Sequence, residues 1–151
     1  RGPDGTRNVI IQLRDAGDIG AGTKLVIQVG TNGPVSEAQL AAIINEIPAD
    51  IGAVVFMTVR ASLAWVPDNN KKILALPGRF PNVQVIDWFA ESQSIPLCPD
   101  ATHVVCSEFA RDFYANLIFA KFGLPTLTLP TTTTSSTTST ISPVTTTTKA
   151  P

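Results

Sequence analysis

Histidine is nearly absent: the 151 residues hold one His, with two Cys, one Met, one Tyr and two Trp, and 15% of the side chains are charged. One imidazole and two thiols are too few for a zinc-type centre built from those ligands, so no metal is expected. No Gly-rich phosphate loop stands between a strand and a helix, and no cofactor is expected. Eleven basic against twelve acidic side chains leave a net charge of -1. A nucleic-acid platform needs a basic face, so none is expected. No apolar run approaches the ~20 residues that cross a bilayer. An initiator Met and a signal-peptide pattern are both missing, and the chain opens in polar sequence at Arg1. The expectation is that something upstream was removed.

What is present falls into two parts. From Pro125 to Pro151 nearly every residue is Thr, Ser or Pro, with four-residue Thr runs at Thr131–Thr134 and Thr145–Thr148. Such a stretch buries too little apolar surface to offset the entropy of ordering it. It reads as a disordered tail, either plain or as an O-glycosylated stalk of an exported protein. Residues 1–124 are then the working domain. Cys98 and Cys106 could be buried thiols, half of a metal site or a disulfide. The single His disfavours the metal, and a Thr-rich stalk suggests an oxidising compartment, which favours a disulfide. Such a bridge would pin the segment that carries Asp100 and His103.

Hydrophobic patterning alternates between helix and strand. Asn8–Ala16 places Val9, Leu13 and Ala16 on one helical face, ended by Gly17. Lys24–Gly30 and Ala53–Val59 are short β-branched apolar runs and read as buried strands, with Val83–Ile86 as a third. Ser36 caps a helix whose apolar face is Leu40, Ile43, Ile44 and Ile47. Pro67-Asp68 opens another that runs to about Leu76. Ser107 caps a last helix with Phe109, Phe113, Leu117 and Ile118 inward. Strands apolar on both faces and joined by helices imply an α/β sandwich around a parallel sheet. The ligand site of such a sheet lies beyond the carboxyl ends of its strands. Here those ends are Gly30-Thr31-Asn32-Gly33, Thr58-Val59-Arg60 and Asp87-Trp88. Three strands are few, and a helix that comes first has no strand before it to cross over from. A strand is expected to be missing upstream.

Two short patterns could carry chemistry. In Asp100-Ala101-Thr102-His103 the carboxylate can reach the imidazole, fix its tautomer and stabilise its protonated form. Alone, the same spacing also describes an ordinary surface Asp and a His near a helix start. Asn32, after a buried strand and a Gly, can donate its amide to a developing oxyanion. Asn-Gly-Pro is also a turn in its own right.

Together, in this order and on this fold, the two patterns resemble the SGNH (GDSL-type) hydrolases, serine esterases and acyltransferases on a flavodoxin-like sheet. Their strand followed by Gly-x-Asn stands here as Val26-Ile27-Gln28-Val29-Gly30-Thr31-Asn32-Gly33, and their Asp-x-x-His as Asp100 to His103. GTNG, the stretch TVRASLAWVPDNN from Thr58 to Asn70 and VIDW at Val85–Trp88 are similar to one subgroup. That subgroup is the extracytoplasmic SGNH domain fused to membrane acyltransferases of type 3, which O-acylate cell-surface polysaccharides. The resemblance covers about residues 8–122. It implies a flavodoxin-like three-layer sandwich truncated at its N-terminus, with three strands recognisable. It implies His103 as general base for a serine nucleophile, Asp100 as its orienting carboxylate and Asn32 as an oxyanion donor. The implied substrates are acyl esters, chiefly acetyl, of cell-surface carbohydrate. The implied location is extracytoplasmic, at the cell surface or secreted, with any membrane attachment through an upstream region.

The departures from that pattern matter as much. No Gly-Asp-Ser block occurs, and Gly17-Asp18-Ile19 mimics it only as a helix end. The second-block Gly is missing, and Val104 follows His103 where the family has Leu. Ser62, in Arg60-Ala61-Ser62-Leu63, lacks a nucleophile elbow and is not taken as the nucleophile. The expectation is the back two-thirds of an SGNH domain, inactive alone, with a free sheet edge prone to self-association. The competing expectation is a non-catalytic glycan-binding module on a Thr-rich stalk, with Trp65 and Trp88 as a sugar-stacking rim. Arg60 is left unassigned, and Asp87 is given a structural hydrogen bond.

Overall fold

The computed structural model describes residues 2–128; the remainder of the Thr/Ser/Pro-rich tail, 129–151, lies outside the described residues. Helix α1 spans Pro3–Asp15, longer at its start than the apolar pattern suggests, because Pro3 occupies the first helical position where its missing N–H costs nothing. Its buried side chain is Ile10, with Leu13 against the core, whereas Ala16 is exposed. Gly17, at φ +76°, closes the helix: its N–H reaches the Arg14 carbonyl and that of Asp18 reaches Leu13, the paired bonds of a Schellman end. Gly17-Asp18-Ile19 is thus a helix terminus, and Ile19 is a core residue.

Strand β1 is Lys24–Gln28, helix α2 Glu37–Asn45, strand β2 Ala53–Met57, helix α3 Val66–Leu74 and strand β3 Val83–Ile86. A 3-10 turn at Leu76–Gly78 follows α3. One-turn helix α4, Trp88–Glu91, begins at once after β3, capped by the Asp87 carboxylate on the Ala90 N–H. Helix α5 is Glu108–Lys121, capped by the Ser107 hydroxyl. At α2 the Ser36 and Gln39 side chains satisfy each other's backbone N–H groups, a reciprocal capping box.

The sheet has order β1-β2-β3 and both pairings are parallel, with Ile27 opposite Phe56 and Phe56 opposite Val85. Period-two alternation sends Ile27, Val54, Phe56 and Val83 to a core shared with Ile10, Leu40, Ile43, Ile44 and Ile73, so α1, α2 and α3 cover one face. Val55, Met57 and Ile86 point the other way, against Trp88 and the α5 residues Phe113, Tyr114, Leu117 and Ile118. The result is the expected three-layer α/β sandwich around a three-stranded parallel sheet, consistent with a flavodoxin-like arrangement. Central strand β2 is buried on both faces, which is why it reads as an unbroken apolar run. Beyond α5, the Asn116 side chain bonds both the N–H and the C=O of Leu127, so the first residues of the Pro-rich stretch follow the helix.

Candidate active site

The strand ends are shorter than the apolar runs suggest, and this shortening builds a cleft. Val29 and Val59 stay buried but leave the sheet, and the loops they start turn across its carboxyl end. The cleft has a volume of about 280 Å³ and is walled by Thr31, Val59, Arg60, Trp88, Tyr114 and His103, among others.

His103 reaches this wall on the loop between α4 and α5. Its Nδ1 lies 2.6 Å from Asp100 Oδ2. The other carboxylate oxygen, Oδ1, accepts the backbone N–H groups of Thr102 and His103 at 2.9 and 3.0 Å. The His103 side chain holds the Asp100 carboxyl at about 2, below its ordinary 3.8, and the two backbone donors add to the effect. An anion fixed on Nδ1 makes that nitrogen the donor and leaves Nε2 as the free ring nitrogen. The pair is solvent-accessible, with 66% of the His103 side chain and 51% of that of Asp100 exposed. Cys98 and Cys106 form a disulfide that encloses this loop. Inside the ring the Cys98 N–H bonds the His103 carbonyl at 2.8 Å, and the Ala101 N–H bonds the Cys98 carbonyl at 2.8 Å. Ala101 takes φ +54° to make the turn.

The loop after β1 supplies Thr31, not Asn32, to the cleft wall. Asn32 is exposed, and its side chain makes no hydrogen bond among the described residues. Arg60 lines the cleft, with its guanidinium donating to the carbonyls of Ser92 and Ile95. Asp87 accepts from Thr58 Oγ1 at 2.8 Å while capping α4. Ser62 is exposed and borders a separate depression with Phe89 and Gln93. Trp88 is only 2% exposed, packed edge-on to Tyr114 at 5.0 Å. Trp65 donates its indole N–H to the Gly30 carbonyl at 3.2 Å. At that burial Trp88 offers no sugar-stacking platform, which corrects its half of the expected rim, whereas Trp65 is half-buried. Among the described residues no group of three or more His, Cys, Asp or Glu is arranged to hold a metal ion.

No protein-family model matches the chain. In an alignment of 103 positions that covers 62% of its length, it is 34% identical to the peptidoglycan O-acetyltransferase OatA of Listeria monocytogenes. The chain is similar to part of an acyltransferase. It spans 16% of that relative's length. No helix among the described residues is long and apolar enough to cross a membrane.

Several residues around the cleft escape a reading from sequence. Gln28 and Tyr114 meet across it, Tyr114 Oη lying 3.3 Å from Gln28 Oε1. Burial pushes the Tyr114 phenol above its ordinary value. Asn69 and Asn70, 0% and 7% exposed, hold the two loops that start the cleft. Their signal is present in the sequence: positions 66, 69, 70 and 73 form the inner face of α3, and two amides on an otherwise apolar face must find buried partners.

Proposed function

We propose that residues 1–124 form part of an SGNH-type, serine-dependent O-acyltransferase or esterase domain that works outside the cytoplasm on acetyl esters of cell-surface carbohydrate. One observation carries this reading: an imidazole bonded through Nδ1 to an ionised carboxylate at 2.6 Å and standing on the wall of a cleft at the carboxyl end of a parallel sheet. The similarity to a peptidoglycan O-acetyltransferase supports the substrate class.

In this reading Asp100 keeps the His103 ring in the tautomer with its proton on Nδ1. His103 Nε2 then takes the proton of a serine hydroxyl as that oxygen attacks the acyl carbonyl. The tetrahedral oxyanion is met by donors of the Thr31–Gly33 turn; the Asn32 side chain, which stands outside the cleft that Thr31 lines, has to turn into it to be one of them. Collapse returns the proton through His103 to the leaving oxygen and leaves an acyl-serine. A carbohydrate hydroxyl or water, deprotonated by the same nitrogen, then releases the acyl group as a new ester or as free acid. No Gly-Asp-Ser block occurs among the 151 residues, and this reading takes the attacking serine from another segment of polypeptide.

A chimera tests the assignment. The matched segment of the Listeria enzyme is replaced by residues 8–122 of this chain, and O-acetylation of peptidoglycan is measured. The expected result is acetylation by the chimera and loss by about 10³-fold or more in H103A, the order seen on removing members of such triads. Equal abundance of both chimeras in immunoblots excludes a folding artefact. Full activity in H103A refutes the reading.

A further inference from the structure

Two side chains of α3 and that of its N-cap residue Trp65 reach the loop that follows β1. Asn69 Nδ2 donates to the carbonyls of Gly30 at 3.0 Å and Gly33 at 2.9 Å, and Asn69 Oδ1 accepts the Val35 N–H at 2.8 Å. Trp65 Nε1 donates to the same Gly30 carbonyl, and Lys72 Nζ donates to the Val35 carbonyl at 2.9 Å. The Asn69 amide therefore uses both of its N–H groups and its oxygen on a single six-residue turn, in a fully buried position. Contact is close enough to dictate the residue it meets. Gly30 sits at φ +109°, and a Cβ there would come within 2.9 Å of Asn69 Nδ2. Nothing in the sheet requires this arrangement, since β1 and β2 pair only up to Gln28 and Met57. The bonds act instead on the residues beyond the strand, which include Thr31, a lining residue of the same cleft as His103.

We propose that Asn69 is a positioning residue for the cleft: through its three bonds helix α3 sets where the Gly30–Val35 turn stands relative to His103. The inference rests on the acyl-transfer reading for its catalytic consequence but not for its structural one. Asn69 touches no reacting atom in this scheme. It orders the backbone amides and the Asn32 side chain from which an oxyanion donor is drawn, and such donors act only when held in place before the reaction.

Residue-resolved amide exchange on the 151-residue chain tests the structural part. In N69A the Val35 amide, which Asn69 Oδ1 accepts in the wild type, is expected to exchange about tenfold faster or more, while Val55 and Phe56 in β2 stay within about twofold of wild type. A merely structural role moves Val35 and the β2 amides together, and that outcome overturns the proposal, as does no change at Val35. Should N69A fail to fold, G30A perturbs the same contact from the other side with Asn69 intact. It is expected to give the same local signature, and wild-type exchange in G30A also overturns the proposal. The catalytic part is read in the chimera, where N69A is expected to lower kcat about tenfold or more with KM within about threefold. Loss of activity in H103A with full kcat in N69A refutes this inference alone. Full activity in H103A refutes the acyl-transfer reading and leaves the exchange result to stand by itself.

Discussion

Replacing Cys98 and Cys106 together by alanine opens the ring around Asp100 and His103 and separates two effects of the bridge. The first acts on the unfolded chain. The bridge joins residues eight apart, and a loop of that size restricts the denatured ensemble by about 2.5 kcal/mol in the chain-entropy model. With a urea dependence of roughly 2 kcal/mol per molar for a domain of this size, the midpoint of unfolding falls by about 1 M. The second effect is local. The Asp100 carboxyl sits at about 2 because the ring holds it against the His103 side chain and two backbone N–H groups. In the open loop those donors are no longer fixed, and the carboxyl rises toward its ordinary 3.8. Urea unfolding followed by circular dichroism reads the first effect, and carbon NMR of the Asp100 carboxyl through an acid titration reads the second. A midpoint shift below about 0.3 M refutes the entropy estimate. An unchanged Asp100 titration in the variant shows that the turn is held by its own hydrogen bonds and that the bridge does not order the pair.

Other outcomes follow from the same structure. Phe56 is fully buried in the central strand, and Phe56→Ala is expected to cost about 3–5 kcal/mol in denaturant unfolding; a loss below about 1 kcal/mol contradicts its place in the core. The native Asp100 carboxyl lies at about 2 against 3.8 ordinarily, so its contribution to stability is complete above pH 3.8 and disappears as the pH falls toward 2. The stability advantage of the wild type over Asp100→Asn therefore shrinks across that window in thermal melts, and an advantage that grows on acidification is the wrong sign. Asn70 Oδ1 accepts the Val59 N–H and its Nδ2 donates to the Val59 carbonyl, both at 2.8 Å. Asn70→Ala strands two buried backbone groups and is expected to destabilise by about 2 kcal/mol or more, measurable in the same unfolding assay; a neutral result means that water replaces the amide.

The elements legible in the sequence are those whose cause is local. Strand β3 matches its apolar run residue for residue, and α2 announces itself by Ser36 and Gln39. Asp100 and His103 lie three residues apart, so one turn brings them together whatever the rest of the chain does. The start of α1 is hidden because Gly2-Pro3-Asp4-Gly5 has coil composition, and only the helical turn itself gives Pro3 a use. Helix α4 spans four residues, too few for any periodicity to register. The Thr31 and Asn32 placements were set from afar. Which of the two faces the cleft depends on how the turn is tethered by Asn69, 39 positions from Gly30, and spacing within the turn carries no trace of that.

Asn69 and Asn70 are consecutive on one helix, yet the first grips the polypeptide leaving β1 and the second that leaving β2. Neighbouring positions on a helix are rigidly related, so the two tethered segments share a common mount. Thr31 and Val59, which line the same cleft, thus lie on segments anchored to adjacent residues of α3. Two walls of one cleft therefore take their position from a single helix.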